Sequence, residues 1–158
     1  MLHWCSIRWR NWADTARQRA VPLKAKPMLP ARSFSVSIRH DWRALYERIW
    51  RPEFFPNWAA GLAESALRAD GDAWLADGAD GPIRIRFTPH NALGVMDHWV
   101  DAGTGETIHV PLRVIQNGDG AEVILTLYRQ PDMDEERFSA DIKLVNRDLR
   151  ALKSLIER

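Results

Sequence analysis

The sequence predicts an α+β domain, with a curved antiparallel sheet of about seven strands wrapped around a long C-terminal helix and two short helices after the first strand. Three observations predict it. Residues 131–158 carry apolar side chains at helical spacing, residues 62–130 form short alternating runs separated by turn chemistry, and residues 41–58 hold two short helical patterns.

Composition bounds the answer first. A chain of 158 residues with 46% hydrophobic content can build one core plus an appendage. No apolar run reaches the ~18 residues of a spanning helix. The first residues also lack the apolar centre of a secretory signal, so the expected location is the cytoplasm and no integral membrane segment is expected. A single cysteine, Cys5, excludes an internal disulfide and a cysteine-rich zinc site. The net charge of +1 conceals an asymmetry: residues 1–32 hold Arg8, Arg10, Arg17, Arg19, Lys24, Lys26 and Arg32 against Asp14 alone. The remainder is therefore mildly acidic and lacks a basic stripe, so no nucleic-acid partner is expected.

Residues 1–30 combine Trp4, Trp9 and Trp12 with arginines and end in a proline-punctuated segment from Val21 to Pro30. This reads as a basic, poorly ordered leader, with Met28 a candidate start of the functional protein and residues 31–158 the domain. Trp and Arg also suit a targeting peptide or a membrane-surface arm.

Ser33 to Ile38 alternates, placing Phe34, Val36 and Ile38 on one face of a strand. Asp41 caps a short helix carrying Trp42, Leu45, Tyr46, Ile49 and Trp50, which ends at Arg51-Pro52. A second helical piece covers Phe54-Phe55 to about Trp58, and Gly61 ends it.

Strands follow from Glu64 to Ala69, from Ala73 to Ala76, through Ile83, Ile85 and Phe87, from Gly94 to Asp101, from Thr107 to Gln116, and from Ala121 to Arg129. Glycine- and aspartate-rich turns separate them, so the arrangement is an antiparallel meander. Asp132 and Glu135 then read as N-cap and capping-box partner of a helix of about 25 residues, roughly 37 Å long. Its stripe is Phe138, Ile142, Val145, Leu149, Leu152 and Ile156, widened by Leu144, Ala151 and Leu155. The sheet must cover that stripe, and the space between them, roofed by the short helices, is the expected site.

Four segments carry a family resemblance: Phe54-Phe55-Pro56-Asn57-Trp58, the run from Phe87 to His98, the run from Val110 to Gly120, and Asp148 to Lys153. Over residues 33–158 the chain resembles the helix-grip fold of the START-like (SRPBCC) superfamily, and most closely its bacterial polyketide cyclase-like branch. The resemblance implies a cavity for a hydrophobic small molecule beside the long helix, and in some members cyclisation or dehydration there.

Met96, His98 and Val100 share one face of their strand, so His98 is expected to face the cavity. An imidazole in an apolar cleft can titrate near neutrality and serve as acid or base on an enolisable carbonyl. The plainer reading is a hydrogen bond across the sheet or to a ligand carbonyl. Asp97 and Arg113 are expected to pair across strands, although the planar fork of Arg113 also suits a ligand carboxylate. Asn91, beside His90, lies in a Pro-led loop at the rim, where its alternative is a turn role. Trp58, Trp74, Phe54, Phe55, Phe87 and Tyr128 supply aromatic surface to a pocket or to the core.

The expected function is binding of a hydrophobic or aromatic small molecule through Trp58, Trp74, Phe87, Asn91, Met96, His98, Arg113 and Tyr128. One alternative is a polyketide cyclase- or dehydrase-type enzyme using His98 as acid/base, with Tyr128 or Asn91 polarising a carbonyl. Another is an interaction module with a filled cavity. His3, His40, His90, His98 and His109 form no i, i+4 helix pair, and the chain has no phosphate-cradling glycine loop, so neither metal nor cofactor is expected. A monomer or homodimer is expected.

Overall fold

A computed structural model describes residues 27–59, 67–78, 81–103 and 105–158. Residues 1–26 of the expected leader, the glycine stop at Gly61 and the strand start at Glu64 lie outside these residues. In chain order the elements are β1 (Ala31–Ile38), α1 (Trp42–Ile49), a 3-10 helix (Pro52–Asn57), β2 (Arg68–Asp70), β3 (Ala73–Gly78), β4 (Gly81–Phe87), β5 (His98–Asp101), β6 (Thr107–Val110), β7 (Leu112–Asn117), β8 (Gly120–Tyr128) and α2 (Glu135–Ile156). All strand pairings are antiparallel, in the orders β1-β8-β7 and β2-β3-β4-β5-β6.

The strand expected from Thr107 to Gln116 is broken at Pro111, which has no N–H to donate. That break divides one curved sheet into two hydrogen-bonded parts. Val95 opposes Arg113 in the same register that pairs His98 with Val110, so one strand spans both parts. Gly94 makes the approach at its end: with φ at 69° it accepts from the Val114 N–H at 2.8 Å, and a Cβ there would lie 2.0 Å from the Val114 carbonyl oxygen.

Strand alternation builds the concave face in rows. Phe34, Leu125 and Leu112 are mutual partners, as are Val36, Val123 and Val114, and these rows hold much of the core. On the other arm Trp74, Ile85, Val100 and Ile108 form one row and Phe87, His98 and Val110 the next.

Helix α1 is capped as expected by Asp41, which accepts from the Ala44 N–H at 2.9 Å, and it buries Leu45, Tyr46 and Ile49. The second short helix is a 3-10 turn that starts earlier than expected, at Pro52.

The cap of α2 is Asp134 rather than Asp132, because residues 130–133 close a turn through the Met133 N–H and the Gln130 carbonyl at 3.1 Å. Asp134 accepts from the Arg137 N–H at 2.7 Å, and the 22-residue helix is roughly 33 Å long. Phe138, Leu149, Leu152 and Ile156 are buried, whereas Leu144 and Ala151, expected to widen the stripe, are exposed. The helix packs on β1 and β8, and its C-terminal end is tied there by Lys153 Nζ donating to the Ser37 carbonyl at 2.8 Å. No helix among the described residues is long and apolar enough to cross a membrane.

Candidate functional site

Helix α2 packs on β1 and β8, and a space remains between it and the inward side chains of β4 and β5. That space is a cavity of about 230 Å³. Ile83, Ile85 and Phe87 come from β4, His98 and Val100 from β5, Leu125 from β8, Phe55, Trp58 and Ala59 from the 3-10 segment, and Val145 and Asp148 from α2. The lining is apolar except for His98 and Asp148.

His98 sits among rings. Phe55 meets it edge-on at 5.6 Å between centroids, and Phe87 lies 5.5 Å away. Its Nδ1 is 3.3 Å from the Met96 carbonyl oxygen. A neutral ring donating there keeps Nε2 as an acceptor. Burial pushes the imidazole down to about 4, against the pull of the Met96 carbonyl and with a further push from His109. This corrects the expectation of titration near neutrality: enclosure by Phe55, Phe87 and the sheet disfavours the cation, so His98 is uncharged at pH 7.

Of the residues singled out in the sequence as pocket candidates, Phe55, Trp58, Phe87 and His98 meet at this cavity. Met96 shares the face of His98 but is closed into the core at 3% exposure. Trp74 shares the row of Ile85 yet lies farther out, in a groove with Trp50 and Pro52. Arg113 and Tyr128 stand on the convex face, since their strand neighbours Leu112, Val114, Leu125 and Leu127 point inward.

Arg113 pairs with Asp97 as the alternation predicts. Tyr128 lies 6.5 Å from His109 between ring centroids and lines a surface hollow beside Met28 and Leu29. Asn91 staples its own loop, accepting from the N–H groups of Leu93 and Val95 and donating to the carbonyls of Pro89 and Val95. His90 pairs with Glu47 at 2.7 Å and packs on Trp50.

Asp148 is the cavity residue that the sequence reading passed over. It stands three residues after Val145 and four before Leu152, on the inward stripe. A half-buried carboxylate in that stripe was the available signal. Its Oδ1 lies 3.7 Å from Arg147 Nε.

The arrangement defines a helix-grip fold with a cavity between its sheet and α2, and comparison with solved structures bears out the fold. XoxI from Bacillus cereus aligns with a TM-score of 0.64 at 14% identity, covering 81% of this chain and 96% of that one. Ara h 8.0201 aligns at 0.57 with 7% identity, over 82% and 98% of the two chains. DynU16, described as a putative protein in the dynemicin biosynthetic locus, aligns at 0.62 with 14% identity, over 80% of this chain and 47% of its own. No protein-family model matches the chain, and no curated protein matches its sequence.

Proposed function

We propose that the chain binds a small, uncharged, hydrophobic molecule carrying a hydroxyl group, held in the cavity between the sheet and α2. The observation that carries this reading is an apolar cavity whose neutral His98 offers an acceptor nitrogen and whose opposite wall carries Asp148. Size narrows the class. A 150 Å³ apolar cavity holds one benzene ring, so about 230 Å³ suits a substituted ring or a bicyclic molecule. A diacyl lipid or a tetracyclic polyketide needs more, and drug-sized pockets start at about 300 Å³.

The histidine supports binding rather than acid–base catalysis. A group that protonates near pH 4 is a weak base at neutrality and accepts a hydrogen bond without taking the proton. An unfilled cavity also weighs against a pure interaction module. Native mass spectrometry of gently purified protein tests the reading. A co-purifying small hydrophobic adduct, absent from Val145→Trp, supports it. If no adduct is seen and 2-naphthol gives no thermal shift, the reading fails.

A further inference from the structure

Phe87 belongs to two spaces. Its ring helps to enclose the 230 Å³ cavity, and it also lines an outer groove of about 470 Å³ between the 3-10 segment and β3. Half-buried Trp50, Pro52 and Trp74 line that groove with exposed Pro89, and its charged residues Arg51, Glu53 and Asp72 are also exposed.

Phe87 is the last residue of β4, and the chain just beyond it is fixed. The Thr88 N–H and hydroxyl both donate to the Asp97 carbonyl at 2.8 Å. The backbone is therefore pinned while the ring stays half-buried, resting edge-on against Phe55 at 4.8 Å. Phe87 is the one residue common to the linings of the inner cavity and the outer groove.

We propose that Phe87 sets the length of ligand this protein accepts. The inference rests on the ligand-binding reading above and adds the geometry of the occupant: a hydroxyl-bearing ring toward His98, with an unbranched alkyl tail directed at the Phe87 ring. In the native protein the tail ends at that ring. With the ring removed, the tail continues over Trp50 and Trp74. The charged groups of the groove are exposed while Trp50 and Trp74 are half-buried, so an uncharged tail has aromatic surface to cover.

The test titrates full-length protein with 4-alkylphenols of increasing chain length, from methyl to octyl, by calorimetry. In wild type, affinity is expected to rise about fourfold per methylene, the value of a buried CH₂, and then to stop rising at a short chain. Phe87→Ala is expected to move that limit outward by about three methylenes, a gain of tens-fold for the octyl compound. Phe87→Leu, a milder change that guards against loss of folding, is expected to fall between the two. Phe87→Trp moves the limit inward.

A variant that binds with an unmoved length limit overturns the inference and leaves the ligand-binding reading standing. Failure of every protein to bind any phenol overturns both.

Discussion

The Asp97 carboxylate accepts the Leu112 N–H at 2.9 Å, on the strand facing it. In the register that pairs His98 with Val110, Asp97 falls opposite Pro111, the residue that interrupts the neighbouring strand. Asp97 also pairs with Arg113 and lies 3.3 Å from His109 Nε2. It is the one charged residue among the buried side chains of the described residues, at 7% exposure. The carboxylate thus supplies through its side chain the partner that the broken ladder lacks, and so fixes the strand that presents His98.

Replacing Asp97 by Ala is expected to leave the buried Leu112 N–H without its acceptor and to remove the ion pair of Arg113, which keeps its bond to the Leu112 carbonyl, at a cost of about 1–3 kcal/mol. Urea unfolding of the two proteins measures it. A loss under about 0.5 kcal/mol, the level of an ordinary surface change, would mean that the sheet holds its bend without this residue.

Gly94→Ala is expected to destabilise by about 2 kcal/mol or more, because the positive φ and the close approach to the Val114 carbonyl both exclude a Cβ. Gly118→Ala shares the positive φ but has nothing within 4 Å of the added carbon, so its loss should be the smaller of the two. Thermal unfolding of both variants separates conformation from contact.

The depressed His98 makes stability depend on pH. The unfolded chain protonates this ring near 6.5 and the folded one near 4, so between those values the unfolded state holds more protons. Stability therefore falls as pH drops from about 6.5 to about 4, by up to about 3 kcal/mol, and this contribution is flat outside that window. His98→Phe should remove that part of the acid sensitivity. Equal slopes for wild type and variant across the window would show that the ring titrates normally in the fold.

Leu152 is fully buried on the inward stripe of α2. Its truncation to Ala should cost about 2–5 kcal/mol. Leu144→Ala on the exposed flank of the same helix should cost under about 1 kcal/mol, since little burial is lost and alanine is the better helix former. Denaturant midpoints distinguish the two flanks.

Much of this fold can be read from periodicity. The alternation at Phe34, Val36 and Ile38, the turn residues between strands and the stripe from Phe138 to Ile156 each specify an element and its inward face. The same alternation places His98 inward and Arg113 outward.

What periodicity alone does not give is the lateral position of α2 over β1 and β8, which leaves a space between Val145 and Asp148 at the helix centre and Ile83, Ile85 and Val100 on the other arm of the sheet. Aromaticity was a weaker guide. Tyr128 is one strand position beyond the inward Leu127, and that parity puts it on the convex face whatever its chemistry. Trp74 has the right parity but stands too far along its row. The helix cap moved from Asp132 to Asp134 because both are good caps and the preceding turn, a local hydrogen bond, selects between them.

The most direct test of the binding claim is calorimetric titration of the full chain with 2-naphthol, beside Val145→Trp, whose indole is directed at the cavity from α2. One equivalent should bind the wild type, and the variant should bind at least tenfold more weakly while unfolding at a similar temperature. Binding of equal strength to both proteins, or to neither, would contradict a ligand site between the sheet and α2.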